Sequence, residues 1–131
     1  MTEFTLNHVS VTCCDLAGPK DFYGRILGLE EIFRPDFGYE GIWYRLSGGV
    51  ELHIIVNPAP RTPQLAQPVT DRVAHFALSV PDSEAVCRKL DEIGYRYLRA
   101  ASTAGRNRLF VFDSDQNMIE IFGPLTESIS K

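Results

Sequence analysis

The stretches "LNHVSVTCCDL" (residues 6–16) and "VAHFALSVPDS" (residues 73–83) follow one plan. Each sets a histidine inside a strand-like alternation and reaches an aspartate seven residues later: His8 then Asp15, His75 then Asp82. The histidines are 67 residues apart, and so are the aspartates. In a chain of 131 residues this leaves room for two copies of one unit. A repeat of roughly 60 residues is too long for a solenoid. It is also too small to bury much core by itself. The spacing therefore predicts a duplicated module whose two sheets complete one another.

Side chains alternate across a strand, so each histidine has defined company. His8 shares a face with Phe4, Leu6, Ser10 and Thr12, and His75 with Val73, Ala77 and Ser79. The opposite faces, from Val9 and from Phe76 onward, are more apolar and are expected to lie under a helix. "DLAGPKDFYGRILG" (15–28) places Leu16, Phe22, Tyr23, Ile26 and Leu27 near a 3.6-residue period, with Gly28 as its stop. "PDSEAVCRKLDEIG" (81–94) repeats the theme with Val86, Leu90 and Ile93, a cap at Asp82 or Ser83, and Gly94 at its end. Strand-like runs follow in each half: "LEEIFRP", "GIWYRLSG" and "VELHIIVNP", then "YRYLRA", "RNRLFVFDS" and "NMIEIFGP". Between them, residues 57–71 hold four of the eight prolines and read as an extended connector. The expected organisation is one domain over residues 1–131. It comprises module one at about 3–57, a linker at about 58–71 and module two at about 72–125.

Composition narrows the function classes. The net charge is −4, with Lys and Arg scattered rather than gathered in a stripe, which argues against nucleic acid as partner. No apolar run is long enough to span a bilayer, and the N-terminus lacks the pattern of a secretory signal. A cytoplasmic location is the expectation. Cys13, Cys14 and Cys87 are an odd number, two of them adjacent, so neither a disulfide framework nor a CxxC zinc site follows. They are expected to be reduced thiols.

The residues able to do chemistry are the three histidines and two carboxylates. His53 and Glu51 share a strand face in "VELHIIV". Glu120 sits between Ile119 and Ile121, where an unpaired carboxylate is costly to bury and needs a cation, a hydrogen-bond donor or water. Counting along the repeat, His75 to Glu120 is 45 residues, His8 to His53 is 45, and His8 to Glu51 is 43. The pseudo-symmetry groups His8 with Glu51 or His53, and His75 with Glu120. Two imidazoles, one or two carboxylates and an open position suit a divalent transition metal that also binds substrate.

With these residues in place, the chain resembles the vicinal oxygen chelate superfamily, the glyoxalase I, bleomycin resistance and extradiol dioxygenase group. The resemblance rests on "NHVSVTCCDLAGPKDFYGRILGLEE", on "AHFALSVPDSEAVCRKLDEIG" and on the ending "FVFDSDQNMIEIFGP". That ending is similar to the family's F-x-D-P-D-G-N-x-I-E signature but has Ser114 and Gln116 at the proline and glycine positions. The departure is expected to change the turn and leave Glu120 in place. The resemblance implies an α+β fold of two tandem βαβββ modules forming a curved mixed sheet around a metal cavity. His8, His75 and Glu120 fall on its usual ligand positions, with Glu51 or His53 as the fourth.

For function, the resemblance implies a lyase or isomerase of the glyoxalase type, acting on a small substrate with vicinal oxygens. The reaction would be lactoylglutathione lyase-like isomerisation or epimerisation through an enediolate, with Glu120 or Glu51 moving the proton. It further implies a divalent ion (Ni, Zn, Mn, Co or Fe), a homodimer, and neither nucleic acid nor membrane as partner. Two alternatives share the fold: an Fe(II) extradiol dioxygenase using His8, His75 and Glu120, and a non-catalytic antibiotic-binding resistance protein. The chain has no clear match to the basic residues by which glyoxalase I holds glutathione. Arg34, Arg45, Arg106 and Arg108 are its candidates.

Overall fold

The computed structural model describes residues 3–58, 73–103 and 106–124. The chain divides into two compact units, Met1–Thr62 and Pro63–Lys131. The connector expected over residues 58–71 lies, from residue 59 on, outside the described residues. Each unit is a four-stranded mixed sheet with helical structure after its first strand, which is the α+β, βαβββ architecture the repeat implied.

In the first unit, β1 (His8–Cys13) pairs parallel with β4 (Glu51–Val56). β4 pairs antiparallel with β3 (Gly41–Arg45), and β3 with β2 (Glu31–Ile32), giving the order β1-β4-β3-β2. The core side carries Leu52, Ile54, Ile42 and Tyr44, all buried. Two expectations are adjusted. Residues 4–7 do not extend β1, although the Asn7 carbonyl accepts from the Glu51 N–H, and "LEEIFRP" contributes only two residues of strand. The first helix is also not a regular α-helix. A single turn, α1 (Ala17–Pro19), widens into a π-helical segment at Lys20–Ile26, where the Leu27 N–H reaches the Phe22 carbonyl five residues back. The adjacent Phe22 and Tyr23 are both fully buried, along with Ile26. A widened turn lets two neighbouring rings face the core together, which the 100° step of an α-helix would splay apart.

The second unit repeats the topology: β5 (His75–Ser79) parallel to β8 (Met118–Pro124), then β7 (Arg106–Phe112) and β6 (Tyr97–Thr103), in the order β5-β8-β7-β6. α2 (Ser83–Ile93) begins where the Asp82 carboxylate accepts from the Ala85 N–H. It ends at Gly94, which takes the left-handed conformation (φ 70°) favoured by glycine. The helix packs on β7 and β8, burying Cys87 and Leu90. Leu109, Val111, Ile119 and Ile121 are buried on the corresponding face of those strands. Beyond the helix, a bidentate ion pair from Arg99 holds the Glu84 carboxyl below its usual range. All three cysteines are free thiols, and burial pushes the Cys87 thiol up. Among the described residues no helix is long and apolar enough to cross a membrane.

The turn that leads into β8 explains its unusual sequence. Asp113 is buried and accepts from the backbone N–H groups of Asp115 and Asn117 and from the Asn117 side-chain amide. This ties residues 113–117 into a closed loop around one carboxylate. Gln116 stands in that loop with φ 67°, in the left-handed region, at the position where the family signature has glycine. The turn therefore keeps the glycine conformation with a side chain in place. A left-handed non-glycine residue costs about 1–2 kcal/mol, and glycine loses more backbone entropy on folding. We expect Gln116→Gly to raise stability by about 0.5–1 kcal/mol in urea unfolding, with an unchanged m-value.

Candidate active site

In module one, His8 lies directly across the parallel ladder from Glu51, and Ser10 lies across from His53. Glu51, His53 and Trp43 thus project on the polar face, since Trp43 is the antiparallel partner of His53. The His53 ring is sandwiched. The Trp43 indole lies against one side at 4.0 Å and 4°, and the His8 imidazole at 4.1 Å and 15°. His53 Nε2–H donates to Glu51 Oε1 at 3.0 Å. His8 Nδ1–H donates to Asn7 Oδ1 at 2.7 Å, which leaves His8 Nε2 as the lone-pair nitrogen.

The stacking bears on which groups can act together. A metal bound to imidazole sits in the ring plane, about 2.1 Å from the nitrogen. Parallel planes some 4 Å apart have no common point for one ion. As the rings lie, His8 and His53 cannot both ligate the same metal. Strand register makes His53 the counterpart of Glu120, because Ser10 faces His53 and Ala77 faces Glu120. Ring orientation instead makes His53 the support of Glu51.

In module two, His75 Nδ1–H donates to the Val73 carbonyl at 2.7 Å, which directs its Nε2 toward Glu120. That Nε2 lies 3.1 Å from Glu120 Oε1. A lone pair facing a carboxylate oxygen needs positive charge between them, either a proton or a cation. Roughly 3 Å is also the separation of two neighbouring donors on an ion with bonds of about 2.1 Å. The donor set therefore fits a divalent metal. The other carboxylate oxygen, Glu120 Oε2, accepts from Arg108 Nε–H at 2.9 Å. Phe110 buttresses both partners, edge-on to the His75 ring and beneath the Arg108 guanidinium.

Arg108 is thus the residue that answers the burial of Glu120, whose side chain is only 12% exposed. Its place was visible in the strand alternation, two residues from Phe110 on the same face, but the identity of its partner required the β7–β8 register. Of the other arginines considered, Arg45 pairs loosely with Glu30 at 3.5 Å, and the Arg106 side chain lies outside the described residues. Within neither unit, among the described residues, do three or more His, Cys, Asp or Glu side chains form a complete metal-holding group.

Comparison with known proteins follows the same lines. The sequence pattern of the Glyoxalase/Bleomycin resistance protein/Dioxygenase superfamily matches residues 5–121. A protein of Arabidopsis thaliana named Glyoxylase I 4 is 32% identical over 121 residues, spanning 89% of this chain and 69% of that protein. The lactoylglutathione lyase of Pseudomonas aeruginosa is 24% identical over 144 residues, spanning 91% and 82%. The crystal structure of a glyoxalase family protein from Bacillus anthracis superposes with a TM-score of 0.78 at 24% identity, covering 95% of this chain and 99% of that one.

The Arg108–Glu120 pair yields a direct test. Removing one member of a largely buried ion pair leaves the other charge uncompensated and costs about 3–5 kcal/mol. We expect Arg108→Met to destabilise by about 3 kcal/mol in urea unfolding. Combining it with Glu120→Met should restore a large part of that loss, since both charges are then gone. Strict additivity of the two single changes would show that the pair is not coupled.

Proposed function

The chain belongs to the glyoxalase/bleomycin resistance protein/dioxygenase superfamily, and from that premise we propose that it is a metal-dependent enzyme of the glyoxalase type. In this reading each module supplies a histidine and a carboxylate as metal ligands. The ligands are His8 and Glu51 from module one, and His75 and Glu120 from module two. The substrate is small and has adjacent oxygens, and the reaction is a proton shift between neighbouring carbons, as in lactoylglutathione lyase or an epimerase. A homodimer is part of this reading, supported by the exposed apolar side chains of Phe4 and Leu6.

The observation that carries the proposal is the matching Nδ1 hydrogen bond of the two repeat histidines. Both spend Nδ1–H on a nearby oxygen, at 2.7 Å in each case, which turns Nε2 outward in His8 and toward Glu120 Oε1 in His75. Metal-ligating histidines are oriented in this way. A bound ion would supply Lewis-acid stabilisation of the oxyanion that develops on the substrate. The two carboxylates would then divide the work. Glu120 is bonded through both oxygens and mostly buried, so it is fixed in place. Glu51 has one bonded oxygen, to His53, and its side chain is 36% exposed. Glu51 has the freedom to move a proton between two substrate carbons, with His53 limiting where it swings.

Elemental analysis after metal-replete purification should find about one equivalent of Ni²⁺, Zn²⁺, Mn²⁺ or Co²⁺ per chain. His75→Ala and Glu120→Ala should each remove most of it while circular dichroism stays unchanged, and turnover of methylglyoxal with glutathione should disappear. Metal content at the wild-type level in both variants would sink the ligand assignment. Tightly held Fe²⁺ with oxygen uptake on a catechol would instead identify a dioxygenase. Less than about 0.2 equivalents would identify a binding protein without a metal.

A further inference from the structure

Module one contains a second feature that the metal reading does not use. Arg34, in the loop between β2 and β3, has no carboxylate within ion-pair distance among the described residues, and its Nε–H is buried without an acceptor. Its guanidinium lies 5.1 Å from the centre of the Phe37 ring and 5.2 Å from that of Tyr39. Behind it is Gly41, where an added Cβ would come within 2.8 Å of Arg34 Nε and 2.6 Å of the Ile54 carbonyl. The missing side chain at Gly41 makes the seat for the guanidinium. A buried donor left without a partner costs about 1–3 kcal/mol, which a well-placed acceptor would recover.

The setting specifies the acceptor. Arg34 lines an open cleft of about 760 Å³ within module one. Phe33, Phe37 and Tyr39 are exposed beside it, with Phe37 and Tyr39 stacked at 6.0 Å. The aromatic surface continues inward, Phe37 to Trp43 at 5.9 Å and Trp43 onto His53 at 4.0 Å. Glu31, Asp36 and Glu40 also line the cleft, and Asp36 Oδ1 is engaged by the Gly38 N–H. The unpaired guanidinium is the group that would hold an anion, and the three carboxylates around the cleft repel added negative charge, which disfavours a dianion such as a phosphate monoester relative to a monoanion. Rings that flank the cation suit a flat apolar body.

We propose that Arg34, seated on Gly41 and framed by Phe37 and Tyr39, is a binding site for a monocarboxylate with a flat apolar body. The carboxylate pairs with the Arg34 guanidinium, and the body lies along the rings toward Trp43. This site stands on module one alone and does not rest on the metal reading.

Phenylacetate is the probe, titrated into the metal-free protein. Trp43, the only tryptophan in the chain, reports by fluorescence, and backbone amide shifts locate the ligand. Saturable binding is expected, with shifts centred on residues 31–42. Phenylacetamide and phenyl phosphate should each bind at least about tenfold more weakly, as should phenylacetate with Arg34→Met. Arg34→Lys should fall between. Equal affinity for phenylacetamide, which needs no variant, would overturn the proposal. So would an unchanged affinity in a folded Arg34→Met protein, or the absence of saturable binding. Adding Ni²⁺ should leave the phenylacetate affinity unchanged. A requirement for Ni²⁺ would place the carboxylate at the metal instead. Failure of the metal reading alone would leave all of these results intact.

Discussion

The parallel pairing of the first strand of each module with its fourth governs what the rest of the structure can do. It sets His8 opposite Glu51 and two residues ahead of the His53 pairing position, and sets His75 in the same relation to Glu120. Strands alternate with a period of two, so a slip of one residue would turn Glu120 under α2 and bring Ile119 to the polar face. The apolar side of the sheet forbids that slip. Ile119 and Ile121 are fully buried on the helix side of β8, as Leu52 and Ile54 are on β4. Burying them is worth about 1.5–3 kcal/mol each. The polar constellation is therefore held in place by the hydrophobic residues between its members.

Duplication produced two similar frames, but the outer partners of the carboxylates differ. Glu120 meets a guanidinium, which is charged at any relevant pH and whose planar fork matches a carboxylate. Glu51 meets an imidazole that is itself clamped between two rings. One carboxylate is tied at both oxygens in a mostly dry setting, and the other is tied at one oxygen beside water. A pseudo-symmetric pair whose members differ in freedom can divide holding from moving, which two identical halves could not do.

Much of this was readable from the order of residues. The strand alternation gave the faces of His8, His75 and Glu120; the burial of β1 follows it, whereas β8 is buried on both faces from Met118 to Ile121. Helix α2 was legible to its caps, because Asp82 and Gly94 are residue types whose conformations do specific work there. The π-helical widening at Lys20–Ile26 was not, since Phe22, Tyr23 and Ile26 satisfy an α-helical period well enough when only spacing is counted. The Gln116 turn was half legible. The missing glycine was visible, whereas the three bonds onto Asp113 that hold a left-handed glutamine exist only in the folded loop. Arg108 and Arg34 look alike in sequence, each an arginine near an aromatic residue. Their difference comes from tertiary pairing: Glu120 lies diagonally across from Arg108 and bonds to it, whereas among the described residues no carboxylate comes within ion-pair distance of Arg34.

His53 shows where counting along a repeat stops being enough. The interval of 45 residues and the strand register both make it the counterpart of Glu120. Ligation, however, depends on the direction of a lone pair, and that direction is set by ring orientation. Trp43 fixes it, because an indole stacked within 4° leaves the imidazole no room to turn toward the plane it would need. The nitrogen that could have faced an ion faces Glu51 Oε1 instead. A residue can thus share the place of Glu120 in the repeat while a neighbour's side chain turns it to hold the carboxylate beside it.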